Sequence, residues 1–246
     1  MRRCWSFCVS PKPYVVLVHG LGMSSEYFDR FARALVERGY TPFAPDLPGF
    51  GESPSAPAGG PEEHAAFLAE YAHANAIRDA IWIGHSLGCN AVAHVAHTRP
   101  DLVRELVCIG PLWSDRSIAR LFPALIVDAF REQLSLFIYV LRAYWRCGLW
   151  RWFATLWRYR DDLRSEPPQA LMLAGEKDPL PDRRWIKNLI LVPGAHACLF
   201  AFPEETASVA TEKKLFDGVA GDQNDQRDRQ SDHGNDPLTG AAGDSK

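Results

Sequence analysis

The sequence predicts an α/β fold: a mostly parallel sheet with helices on both faces. Three observations carry this. Six short β-rich runs, at residues 14–18, 41–45, 80–84, 105–109, 170–174 and 189–192, alternate with helical stretches. The runs are almost continuously apolar, as strands covered on both sides must be, and do not alternate polar with apolar. The third run passes straight into Gly84-His85-Ser86-Leu87-Gly88, a G-x-S-x-G junction that marks a sharp strand-to-helix turn.

Each intervening element has a local reason. Residues 24–39 read as a helix with Ser24 as its cap and Gly39 as its stop. Residues 61–77 open with Pro61 and carry Glu62 and Glu63 in the first turn, where the helix dipole favours acids. The helix after Ser86 starts at Leu87, runs to Thr98 and is closed by Pro100. From 113 to 165 strand signals vanish. Leu134, Phe137, Ile138, Leu141, Trp145, Trp152 and Phe153 fall largely along one helical face there, and the stretch holds five of the eight tryptophans and nine arginines. It reads as a helical insertion, apolar on one side and cationic on the other. The sheet core is therefore expected at 1–112 and 166–216. Residues 217–246, with seven Asp against three Lys or Arg, form an acidic tail too poor in apolar surface to order itself.

Composition narrows the function classes. At 246 residues and 47% hydrophobic, the chain can bury one sizeable core. Its net charge of −3 falls mostly in the tail, and the near-neutral remainder gives no case for nucleic-acid binding. No apolar run approaches the roughly 20 residues of a bilayer crossing. Residues 1–13 lack the apolar stretch and cleavage site of a signal peptide, so a cytoplasmic protein is expected. The six cysteines have no metal-ligand spacing and read as small hydrophobes. His94 and His97 lie three apart with no third ligand in view, so they read as helix surface. Neither a metal nor a cofactor is expected.

A serine at such a junction points to acyl transfer, which requires a base, an acid to orient that base, and donors for the oxyanion. Asp178 follows the fifth run and His196 the sixth. In a parallel sheet the C-terminal strand ends open on one edge, so Ser86, Asp178 and His196 can converge from distant positions. The turn His19-Gly20-Leu21-Gly22 follows the first run, and the backbone N–H groups of Leu21 and Leu87 are the candidate oxyanion donors. Asp182 is a nearby alternative to Asp178, and Asp115 a remoter one. His19 and His85 read as structural, and Asp46 and Ser53 as shaping a loop beside the site. Arg131, Arg142, Arg146 and Arg158 give the insertion its cationic face, which is either solvated or a contact for an acidic substrate group or a peripheral anionic lipid.

The motifs His-Gly-Leu-Gly at 19–22, Asp-Leu-Pro-Gly-Phe-Gly-Glu-Ser at 46–53, Gly-His-Ser-Leu-Gly at 84–88, Gly-Glu-Lys-Asp-Pro at 175–179 and Gly-Ala-His at 194–196 come in order. With them, the chain resembles the α/β-hydrolase family over residues 14–205. The resemblance implies a cofactor-free, carboxylesterase-like serine hydrolase with the 113–165 insertion as a lid. It would act through an acyl-enzyme on a hydrophobic ester, lactone or thioester, and the aromatic lid points to acyl chains of medium length. Serine at 86 separates it from the epoxide hydrolases and haloalkane dehalogenases, which use aspartate there. Two departures support an alternative, a non-catalytic relative binding a small hydrophobic ligand or a partner. Only thirteen residues precede Tyr14, too few for the family's opening strand pair, and only eighteen separate Asp178 from His196, with Pro179 and Pro181 between.

Overall fold

The apolar runs form β1 (Tyr14–Val18), β2 (Thr41–Phe43), β3 (Ala80–His85), β4 (Val103–Ile109), β5 (Leu171–Gly175) and β6 (Ile190–Val192). All pair in parallel in the order β2-β1-β3-β4-β5-β6. The structure is a computed structural model describing residues 13–54, 56–114, 139, 141–142, 145–186 and 188–212. Apart from Glu212 they belong to one unit, Met1–Thr211. Residues 217–246, Cys4, Cys8, Asp115, Arg131, Leu134, Phe137 and Ile138 lie outside the described residues.

Direction of travel decides which face each helix takes. The chain steps from β1 outward to β2, then reverses across β1 to β3 and continues to β4. Right-handed crossovers in opposite senses put their helices on opposite faces. α1 (Asp29–Glu37) accordingly packs with α6 (Pro203–Ala210), while α2 (Pro61–Ala74) packs with α3 (Gly88–Thr98). The reversal makes the C-terminal ends of β1 and β3 a switch point, where open α/β sheets bind ligands. Pro42, which cannot donate to a ladder, sits in β2, paired only with β1.

Ser24 precedes a short 3-10 turn, Ser25–Phe28, but its side chain makes no capping bond. A tertiary cap replaces it. Asp46 accepts the Ser25 N–H through Oδ1 at 2.6 Å and the Glu52 N–H through Oδ2 at 2.9 Å, tying the helix entry to the 46–53 loop.

Between β4 and β5, residues 139, 141–142 and 145–147 are helical, followed by α4 (Leu149–Arg158) and a 3-10 turn, Asp162–Arg164. Trp152, Leu156, Tyr159 and Leu163 pack over the strand ends against Leu87, Leu112 and Leu180. Among the described residues the single apolar face expected here does not form. Trp152 is buried, whereas Leu141, Trp145 and Phe153 are exposed, so α4 is apolar on both its inner and outer sides. Periodicity registers that residues are apolar; it does not register which of two apolar stripes a sheet edge will cover.

The 176–189 crossover closes without a helix among its described residues, yet Leu173, Ala174 and Gly175 pair in register with Ile190, Leu191 and Val192. After β6 comes α5 (Cys198–Ala201), where Cys198 is buried, as are Cys89, Cys108 and Cys147.

Candidate active site

Close backbone approach builds the turn after β3. Ser86 has φ +54°, the left-handed region that a side chain enters only when its surroundings force it, and its N–H is tied to Ile109 O at 2.9 Å. Gly88 and Gly84 make that possible. A Cβ on Gly88 would lie 2.3 Å from Val18 O, and one on Gly84 2.6 Å from the Cys89 backbone, so α3 starts almost in contact with β1. The helix proper begins at Gly88, with Leu87 as its N-cap residue. Gly20 abuts Ser86 from the β1 side, its missing Cβ position 2.9 Å from Ser86 Cβ.

The two predicted acid–base residues meet. Asp178 Oδ2 accepts a hydrogen bond from His196 Nδ1 at 2.9 Å, while its Oδ1 accepts the Leu180 N–H at 2.9 Å. Both residues are buried. The short crossover therefore does not keep them apart: Glu176 and Lys177 continue the ladder by donating to Val192 O and Gly194 O, which brings the two loops together. The His196 imidazole lies over Gly110, where a Cβ would come within 2.9 Å of Nδ1 and Cε1. Ser86 and His196 thus contact the same Ile109–Gly110 strand end. Asp182 is also buried, but its carboxylate accepts from the Ser114 hydroxyl and from Arg184; Asp178 is the one that reaches the imidazole.

Two further buried histidines hold this frame through backbone atoms. His19 Nδ1 donates to Gly20 O at 2.9 Å and its Nε2 accepts the Leu47 N–H at 3.0 Å, which fixes the tautomer. Pulling the Gly20 carbonyl one way turns the Leu21 N–H of the same peptide the other way. His85 Nε2 donates to His196 O at 3.0 Å and so anchors the loop that carries His196 from behind. Burial pushes the pKa of His19 down; burial and the neighbouring His196 push that of His85 down to about 3, so both stay neutral near pH 7. Burial raises the pKa of Asp46, but His19 and the N–H donors of Ser25 and Glu52 outweigh it and leave the carboxylate below its ordinary value.

Neither Leu21 N–H nor Leu87 N–H finds a protein acceptor among the described residues. Both leucines line one narrow cleft, partly open to solvent, with His19, Gly20, Leu47, Phe50, His64, Thr155 and Tyr159. Sequence reasoning missed the last three. The Tyr159 hydroxyl and His64 Nδ1 share a 2.7 Å hydrogen bond, linking α4 to α2. Burial pushes the His64 pKa down to about 4. Sequence reasoning also missed the role of His94, whose Nε2 donates to Asp162 Oδ1 at 2.6 Å while Asn90 Nδ2 donates to Oδ2 at 2.6 Å. That bond raises the His94 pKa, and the residue is a tether rather than plain helix surface. Ser53 contributes its N–H to Phe50 O, within the loop that Asp46 closes. Among the described residues no group of three His, Cys, Asp or Glu side chains is arranged to hold a metal, and no helix is long and apolar enough to cross a membrane.

Known proteins share this framework. Over 125 residues the chain is 36% identical to a pimeloyl-[acyl-carrier protein] methyl ester esterase of Vibrio cholerae serotype O1. That match covers 49% of this chain and 46% of the relative, so the chain spans about half the length of the curated relatives it matches. Among solved structures it is similar to a bacterial membrane phospholipase A (TM-score 0.66, 24% identity, covering 85% of this chain and 80% of that one). It is also similar to the enol-lactonase of Burkholderia xenovorans LB400 (TM-score 0.66, 15% identity, covering 86% and 96%). At these identities the likeness is one of fold. The family profile described as alpha/beta hydrolase fold matches residues 13–136, half of the chain, and with the parallel sheet and the turn after β3 it makes this chain a member of the α/β-hydrolase family.

Proposed function

We propose that the protein is a serine hydrolase that cleaves a hydrophobic carboxylic ester, lactone or thioester through an acyl-enzyme on Ser86. The observation that carries this reading is the buried 2.9 Å bond between His196 and Asp178, set against the same strand end as the positive-φ Ser86. With Nδ1–H held by the carboxylate, the imidazole presents Nε2 as the base. It takes the Ser86 proton as Oγ attacks the acyl carbon, and the oxyanion collects the N–H groups of Leu21 and Leu87. His196 then returns the proton to the leaving alkoxide or thiolate, and water, activated the same way, releases the acid. The relatives named as methyl ester esterases support the ester class, and serine and histidine in these positions supply the means.

The cleft beside Leu21 and Leu87 is too narrow to set an acyl length, and the medium chain that the aromatic insertion suggests remains the substrate reading. The non-catalytic alternative requires the short crossover to misplace the triad, and the Asp178–His196 bond counts against that for the acid–base pair.

Reaction of the full chain with an active-site-directed fluorophosphonate tests the reading. Mass spectrometry should place the adduct on Ser86, and Ser86→Ala should abolish both labelling and ester turnover. Folded wild type that stays unlabelled and inert toward an ester series from acetate to decanoate would overturn it. A turnover maximum at medium length in that series supports the substrate class that the aromatic insertion suggests; indifference to length would remove it.

A further inference from the structure

We infer that the outer face of α4 is a docking surface for an anionic lipid membrane. The inner face of this helix is satisfied by packing over the strand ends. The outer face is not: Trp150 is 85% exposed and Trp157 67%, with Leu149 and Phe153 exposed beside them, at spacings of one, four and eight residues from Leu149 that keep them on one side. Trp145, in the helical turn before Gly148, is 91% exposed. A soluble monomer rarely shows such a cluster of large apolar side chains in sequence unless something covers it.

Charge and chemistry together select the occupant. Arg142 and Arg146 share a single acid, Glu26, at 3.6 and 3.8 Å; Arg158 pairs with Glu63, and Arg160 pairs with Asp161 at 3.1 Å while lying 4.6 Å over the Trp157 ring. Arg151 reaches Gly49 O at 2.8 Å. Residues 145–160 carry four arginines and no Asp or Glu, so the segment that bears the aromatic patch is net positive. Indole is the side chain that prefers the headgroup layer, with an apolar body and a polar N–H, and a cationic rim favours anionic headgroups. An acidic protein partner would call for free cations at the centre of the patch. Here the centre is tryptophan and phenylalanine, and the cations lie at the edge. Docking in this sense would put the opposite face of α4, which lines the cavity beside Leu21 and Leu87, directly behind the membrane contact. The inference does not rest on hydrolysis.

Flotation of the full chain with large unilamellar vesicles tests it. Vesicles of phosphatidylcholine with about one-third phosphatidylglycerol should carry wild type and Ser86→Ala equally, with a blue shift of tryptophan emission, and pure phosphatidylcholine vesicles should carry far less. The double variant Trp150→Ser/Trp157→Ser, altered only at exposed sites, should lose binding about tenfold or more while keeping the wild-type thermal midpoint. Wild type that stays off anionic vesicles would overturn the inference, as would a double variant that binds as well as wild type. It would also fail if light scattering showed a dimer that shields the tryptophans, or if only an acidic carrier protein, and no vesicle, were bound through this face.

Discussion

The strand ends and the helix above them are held by different means. At the strand ends, Ser86, Gly88, Gly20, Asp178 and His196 are fixed by backbone contacts and by buried neutral histidines bonded to carbonyls. α4 is attached by a few long-range side-chain links: Tyr159 to His64, Arg151 to Gly49, Arg158 to Glu63, and the turn after it by Asp162 to Asn90 and His94. The proposed chemistry therefore sits on the rigid part, where a reacting geometry can be kept within fractions of an ångström. The part that shapes the cavity wall sits on attachments that can be altered singly. Changes to the first region should be large and catalytic or global, and changes to the second small and confined to substrate binding.

The sharpest test of that contrast is Asp178→Asn. Asparagine can still accept the Leu180 N–H, so the loop should keep its shape, but the His196 tautomer is no longer enforced. Turnover should fall by about 10⁴ with little change in the thermal midpoint. A drop of less than tenfold in kcat would mean that His196 is oriented by something other than this carboxylate.

The same substitution placed in each region gives the next effect. Gly88→Ala puts a methyl 2.3 Å from Val18 O, a backbone atom that cannot move without shifting β1, and should cost about 3 kcal/mol or more in denaturant unfolding. Gly148→Ala meets nothing within 4 Å, and only its φ of +76° opposes it, so about 1–2 kcal/mol is expected. Equal losses at the two positions would remove the distinction between the regions.

How much of this was readable beforehand follows the same division. The strand ends were legible because their constraints are local: a serine between two glycines, a glycine turn after an apolar run and a histidine after a glycine each specify a conformation within a few residues. Six strands and three helices followed from periodicity, with shifts of only a few residues at their ends. The attachments of α4 were not legible. His64 and Tyr159 are 95 residues apart, and His94 and Asp162 are 68 apart, and nothing local to either member marks the pairing. Nor could periodicity say that Trp152 would turn inward and Trp150 outward, since both are apolar and the choice is made by the sheet edge.

The buried histidines give the contrast a pH signature. For His64 and His85 the folded pKa lies below the unfolded value near 6.5, at about 4 and about 3, so the unfolded chain binds protons that the folded one refuses. Their contribution is complete above pH 6.5 and is lost progressively as pH falls toward those values. Between pH 7 and pH 4.5 each should remove about 2–3 kcal/mol. His64→Phe, which cannot titrate, should be less stable than wild type at pH 7 for want of the Tyr159 bond but should lose less on acidification. Parallel losses in wild type and variant, read from denaturant midpoints at the two pH values, would place the titrating group elsewhere.

His94 runs the opposite way and has the smallest effect. Its folded pKa is raised by Asp162, so the tether's stabilisation is fully present below pH 6.5 and is lost as pH rises through the raised value. The pair is partly exposed, at 24% and 14% of its side-chain surface, and solvent screening keeps its worth well under about 1 kcal/mol. Asp162→Asn should therefore leave the thermal midpoint and kcat nearly unchanged. It should raise KM modestly, by about twofold, and lower the His94 pKa measured by NMR titration toward its ordinary value. The increase in KM should shrink at high pH, where wild type has lost the charged tether as well. A change in kcat with KM constant would place Asp162 among the groups acting on the reacting atoms, and the separation between a rigid chemical edge and an adjustable cavity wall would no longer describe this protein.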